Sequence, residues 1–191
     1  MKVTAITLRP GNVIDRDGDG RLWVVTGYEI MQPGKGASVI QVEMRDVRSG
    51  NKDNVRYRTQ ETVERVRLDQ SEFSYLYNDG ENTYTFMDKE TFEQIEVKKD
   101  VIGDLAKWLQ DNMDVVIESF EGEPLGVEIP DSVTVEVMEA EPVVKGQTAS
   151  SSYKPAIVTG DVKVMVPPFI EVGTRIVVKT ADGTYYERAK D

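Results

Sequence analysis

Short runs of β-branched and aromatic residues, parted by turn residues about every 8 to 12 positions, recur along this whole chain; that pattern restricts it to small sandwiches or barrels. Leu22–Thr26, Ser38–Met44 and Val55–Arg58 are strand-like, with Asp19-Gly20, Pro33-Gly34 and Ser49-Gly50 as punctuation. Phe73–Tyr77 and Thr83–Met87 flank Asn78-Asp79-Gly80, an alternating aromatic pattern around an Asp-Gly turn that predicts a hairpin. Val115–Phe120 and Gly126–Ile129 flank Glu121–Pro124 as another. A last set comprises Val133–Val137, Ala156–Val158, Val162–Val166, Arg175–Lys179 and Tyr185–Arg188. One segment departs from the pattern. Asp100 is placed to cap a short helix in which Val101, Leu105, Trp108 and Leu109 share a face, and this helix is expected to cover the middle barrel.

The expected architecture is therefore all-β, in three domains: 1–64, 65–128 and 129–191. No Gly/Ser- or Pro-rich spacer separates them, so fixed relative positions and an elongated body are expected. The chain has no cysteine and no histidine. Disulfides, thiolate or imidazole metal sites and Ser-His-Asp or Cys-His mechanisms are excluded, and the fold must stand on its cores. No apolar run approaches the roughly 20 residues that cross a bilayer, and Met1–Pro10 shows no signal-peptide core, so a cytoplasmic protein is expected.

The net charge of −11 argues at first against an RNA-binding role. Its distribution modifies that. Residues 1–64 hold 10 basic and 9 acidic residues, 65–128 hold 6 and 16, and 129–191 hold 7 and 9. The middle third carries the repulsive field, and the near-neutral ends are the parts expected to meet RNA while the middle faces solvent or basic protein.

The segment Met31-Gln32-Pro33-Gly34-Lys35-Gly36 joins two β-rich runs. Pro33 and Gly34 suit the central positions of a type II turn, which sets Lys35 at a hairpin tip with glycine on both sides. An ammonium so placed can enter a narrow anionic cavity. On local sequence alone, a merely solvated lysine is the commoner explanation.

The tip segment resembles the loop of the elongation factor P family, and further matches follow in order: Arg9–Ile14, Tyr75–Gly80, Phe86–Gln94, Lys145-Gly146, Lys154-Pro155-Ala156, Val166–Ile170, Gly173 and Tyr185–Arg188. The resemblance spans essentially the whole chain. It implies an SH3-like (KOW-like) first barrel followed by two OB-like barrels in an L-shaped, tRNA-like body. It implies a non-enzymatic factor, without cofactor or metal, that binds the 70S ribosome between peptidyl-tRNA and exit sites. There it relieves stalling at consecutive prolines, with Lys35 steadying the CCA end of the peptidyl-tRNA. It further implies a covalent modification of Lys35, a β-lysyl group added by a dedicated ligase, since relatives with a lysine at this tip often carry one. Gly146, Gln147 and Thr148 match the loop that reads mRNA at the exit site, although Gln147 replaces a common aspartate. Tyr185 and Arg188 match residues that touch the small subunit. A monomer with no membrane partner is expected.

Other patterns carry less. Asp15-Arg16-Asp17-Gly18-Asp19-Gly20 imitates the start of an EF-hand loop, but the twelfth position is Thr26 instead of glutamate, so a polar turn is expected. Trp23, Tyr75, Tyr77 and Tyr84 could stack bases, yet core or cross-strand packing is the commoner use of alternating strand aromatics. The rival readings are an elongation factor P-like paralogue with another translational task and, from a different class, a carbohydrate-acting enzyme using acidic side chains.

Overall fold

The computed structural model describes residues 1–143 and 152–190. Its strands fall into three antiparallel sheets. The first contains β1 (Lys2–Thr4), β2 (Val13–Asp15), β3 (Leu22–Met31), β4 (Val39–Asp46), β5 (Lys52–Arg58) and β6 (Thr62–Val66), in the order β1-β6-β2-β3-β4-β5. The second contains β7 (Asp69–Asn78), β8 (Thr83–Asp88), β9 (Gln94–Lys98), β10 (Asp114–Phe120) and β11 (Glu123–Glu128), in the order β11-β10-β7-β8-β9. The third contains β12 (Ser132–Ala140), β13 (Lys154–Val158), β14 (Val162–Val166), β15 (Arg175–Lys179) and β16 (Thr184–Arg188), in the order β14-β13-β12-β15-β16.

The all-β expectation holds. The chain divides into two compact units, Met1–Asp69 with Ser119–Leu125, and Gln70–Glu118 with Gly126–Asp191. In the first unit, strand alternation builds the core. Ile40, Val42 and Met44 of β4 are buried and meet Trp23 and Val25 of β3 and Tyr57 of β5, while Val39, Gln41, Glu43 and Arg45 face outward. The Ser119–Leu125 tip belongs to this unit, where Arg48 donates to Glu123 at 2.9 Å.

In the second unit one apolar core serves both sheets. Phe73, Tyr75 and Phe86 belong to the same cluster as Val133, Val135, Val164 and Ile176. The predicted helix is present in altered form. Lys99–Ile102 makes one α-turn, and Gly103, at φ +73°, ends it; a 3-10 helix then runs over Gly103–Trp108. Asp100 does not cap it: Lys98 holds the N-cap position without a side-chain bond, and Asp100 lies inside the first turn. The apolar face nevertheless forms. Trp108 is fully buried, Val101, Leu105 and Leu109 pack around the core, and Gln110 Nε2 donates to the Thr134 carbonyl at 2.7 Å.

In the acidic turn between β2 and β3, Asp17 lies 3.8 Å from the Arg16 guanidinium, and the other two carboxylates bond the turn's own backbone. Asp15 accepts from the Gly18 and Gly20 amides at 2.9 and 3.3 Å, and Asp19 accepts from Arg21 N at 2.9 Å. Trp23 and Tyr75 are core residues, with Tyr75 5.5 Å from the Phe86 ring; Tyr77 differs, being 57% exposed.

Candidate functional site

β3 and β4 stay paired up to Met31 opposite Val39, so residues 32–38 form the connection and Lys35 is its midpoint. The expected type II turn is not what turns the chain. That turn needs a positive φ at Gly34; here the positive value is at Gly36, +142°. A Cβ at Gly36 would meet Pro33 Cγ at 3.7 Å, so the rigid proline ring and the glycine close the loop against each other while Gly34 borders open space. Pro33, Gly34, Lys35 and Gly36 are all exposed. Among the described residues, Lys35 makes neither a hydrogen bond nor an ion pair. Its charge is therefore available to an external anion.

At the base of this loop the inward row of β3 is uncovered: Tyr28 is 41% and Ile30 42% exposed. Arg9 lies over the Tyr28 ring at 4.7 Å, and its guanidinium donates to the Ile6 and Leu8 carbonyls at 2.9 and 2.7 Å. Sequence pattern alone does not assign this pair, because its two members are distant along the chain; the Arg9-Pro10-Gly11 segment is the only local signal.

Tyr185 and Arg188 occur together on the edge strand β16. They are three residues apart, a spacing that sends side chains to opposite faces of a regular strand. Here Arg188 pairs with Ile176 and Tyr185 with Val178, and the register shifts by one between them, at Tyr186. Ile176 and Val178 share the buried face, so the bulge brings Tyr185 and Arg188 to that same side. Arg188 stacks on Phe169 at 4.7 Å, and Tyr185 meets Tyr153 edge-on at 6.4 Å. Burial pushes the Tyr185 hydroxyl pKa up, and the Arg188 charge opposes that. Phe169 and Tyr153 are 51% and 54% exposed, and the bulge that assembles this group has no mark in local sequence. Gly146, Gln147 and Thr148 lie outside the described residues.

Comparison with known proteins matches three successive stretches of the chain. Residues 4–63 match the elongation factor P KOW-like domain, 68–127 the elongation factor P OB domain, and 133–188 the elongation factor P C-terminal domain. The elongation factor P of Rhodospirillum centenum is 59% identical over 191 residues, covering 100% of both chains. That of Acidiphilium cryptum is 56% identical over 190 residues, with the same coverage. Among solved structures, the translation initiation factor 5A of Methanococcus jannaschii superposes with a TM-score of 0.53 at 21% identity, over 68% of this chain and 92% of that one, a likeness of fold. Full-length similarity at these identities, together with three consecutive domain matches, shows that this chain belongs to the elongation factor P family of translation elongation factors.

Proposed function

We propose that the protein binds the 70S ribosome between the peptidyl-tRNA and exit sites and stimulates peptide-bond formation where consecutive prolines stall it. The observation that supports this reading most is the exposed, unpaired Lys35 at the midpoint of the β3–β4 loop in a chain of this family. Proline is a poor partner in peptide transfer, because its ring fixes φ and its nitrogen is secondary. A factor can restore the rate without doing chemistry if it holds the CCA end of the peptidyl-tRNA in an attack-ready position, since misorientation of reacting groups costs several kcal/mol. Lys35 is suited to that role by what surrounds it: glycines on both sides keep neighbouring side chains from crowding it, and the Pro33–Gly36 contact shapes its base.

In this reading Lys35 carries a β-lysyl group added by a ligase, with no other cofactor. Acylation of Nζ would remove its charge and place two amines farther out, giving more donors to RNA phosphate and sugar oxygens. The loop containing Gly146, Gln147 and Thr148 would contact mRNA at the exit site, and Tyr185 with Arg188 the small subunit. The protein works in the cytoplasm, as a monomer.

Translation of a polyproline template in a reconstituted system tests this. Added protein should raise full-length product, and Lys35→Ala should abolish the gain. Rescue at full strength by the alanine variant would refute the role of the lysine, and no rescue by the native, modified chain would refute the function.

A further inference from the structure

Lys154, the first residue of β13, is only 9% exposed, an unusual depth for a lysine. Its Nζ donates to the Glu141 carbonyl at 2.6 Å, one residue past the end of β12. The register explains why a side chain makes this bond. β12 and β13 pair up to Ala140 opposite Ala156, and one further step sets Glu141 opposite Pro155, which has no N–H to give. The Lys154 ammonium thus supplies a donor where the backbone ladder runs out, and it ties the first residue of β13 to the end of β12. The residue before it, Tyr153, is 54% exposed and lies edge-on to Tyr185 at 6.4 Å, on the side of β16 where Arg188 stacks on Phe169.

We infer that Lys154 is a positioning residue: by clamping Glu141 it fixes the start of β13, and so holds Tyr153 against Tyr185 on the face that meets the small subunit. A buried cation is a poor choice for stability alone. Taking an ammonium out of water is expensive, and an apolar side chain of similar length at such a place is often neutral or stabilising. What the lysine adds is a directional bond that an apolar chain cannot make. Glu141 is exposed, so without the ammonium its carbonyl can turn to water. Lys154 and Pro155 would then be held on the β14 side alone, where they pair with Val166 and Met165, and Tyr153, one residue earlier, would lose its fixed place. Burial keeps the Lys154 ammonium from touching RNA itself, so its action passes through the Tyr153 ring.

The inference rests on the reading of Tyr185 and Arg188 as a small-subunit contact. Polyproline synthesis should be measured against the concentration of the full, modified chain. Lys154→Met should raise the concentration for half-maximal synthesis about fivefold and leave the saturated rate unchanged, because the Lys35 tip belongs to the other unit. Tyr153→Ala should shift it as far and the double variant no farther, whereas Lys154→Arg, which keeps its donors, should behave as the parent. In Lys154→Met the nuclear Overhauser contact between the Tyr153 and Tyr185 rings should vanish while the urea midpoint stays where it is. A parental half-saturation in Lys154→Met, or a double variant whose shift is the product of the two single ones, overturns the clamp. So does a urea midpoint that falls in Lys154→Met while the ring contact survives, since the lysine then serves the fold alone. Should Lys154→Met not fold, Tyr153→Ala decides, because an exposed ring can be removed without unfolding the chain, and a parental half-saturation there overturns the inference. Tyr185→Ala at parental half-saturation, with the unsubstituted chain active, removes the small-subunit reading and the clamp with it. A shift in Tyr185→Ala without one in Lys154→Met overturns the clamp and leaves that reading standing.

Discussion

Arg21 closes an ion pair onto Asp46, the most deeply buried carboxylate of the first unit, whose other oxygen accepts the Arg48 and Ser49 amides at 2.8 Å each. Both oxygens of a side chain only 2% exposed are thus in use, and together they fix the β4–β5 turn. The Ser49 amide and the Arg21 guanidinium hold the Asp46 pKa down to about 2 from an ordinary 3.8.

A depressed carboxylate contributes stability that is complete above its unfolded value and is lost as pH falls through the folded one. Asp46 should therefore stabilise the protein fully above about pH 4, and this contribution should drain away between about pH 4 and pH 2. Asp46→Asn should cost about 1–3 kcal/mol at neutral pH, because it weakens three bonds to one buried group. Urea unfolding of both proteins across that range should show the two stabilities converging as the pH falls.

Gly36→Ala separates the shape of the tip from its charge. At φ +142° an alanine is strained by its backbone, although its Cβ would only touch Pro33, so the loop should relax to another path at a cost of about 1 kcal/mol. Lys35 is retained, yet polyproline synthesis should fall toward the level of Lys35→Ala. The lysine variant, by contrast, should leave thermal stability within about 0.5 kcal/mol of the parent, since the side chain is exposed and unpaired.

Trp108 ties two sheets into one core, with Gly183 close enough that a Cβ there would lie 3.5 Å from its ring. Trp108→Ala should cost about 3–5 kcal/mol. Hydrogen exchange should then rise together in β7, β8, β12 and β15. Faster exchange in the second sheet alone would show that the shared core does not couple them.

The stack of Arg188 on Phe169 is measurable without a ribosome. A double-mutant cycle in urea, using Phe169→Ala and Arg188→Ala, should give a coupling of about 0.5–1 kcal/mol, as for a cation on an exposed ring. A coupling near zero would mean that the ring does not position the guanidinium.

Features governed by neighbouring residues are readable from sequence. The Asn78-Asp79-Gly80 hairpin forms as its pattern predicts: Gly80 adopts φ +81°, and the Asp79 carboxylate accepts the Glu81 and Thr83 amides at 2.8 and 3.1 Å. The apolar spacing of Val101, Leu105 and Trp108 likewise predicts a buried face. Features that escape such a reading depend on partners distant in sequence or on competing local options. Pro33-Gly34 suits a type II turn in isolation, but the register of β3 and β4 leaves a longer connection that turns at Gly36 instead. Gly103 looks like one tolerable glycine in a helix, but it adopts φ +73° and the α-turn stops there, with a 3-10 helix carrying the chain on to the buried Trp108. Lys35 stands out in the sequence. The bond from Lys154 to Glu141 does not, because recognising it requires the β12–β13 register.

The one unpaired residue in β16 gives that strand a parity. Deleting Tyr186 would leave Tyr185 and Arg188 two apart in a regular strand and still on one side, whereas flattening the bulge with all residues kept would turn one of them away from its aromatic neighbour. The C-terminal strand should therefore forgive the loss of its bulged residue more readily than an insertion or deletion that shifts Tyr185 against Arg188 elsewhere.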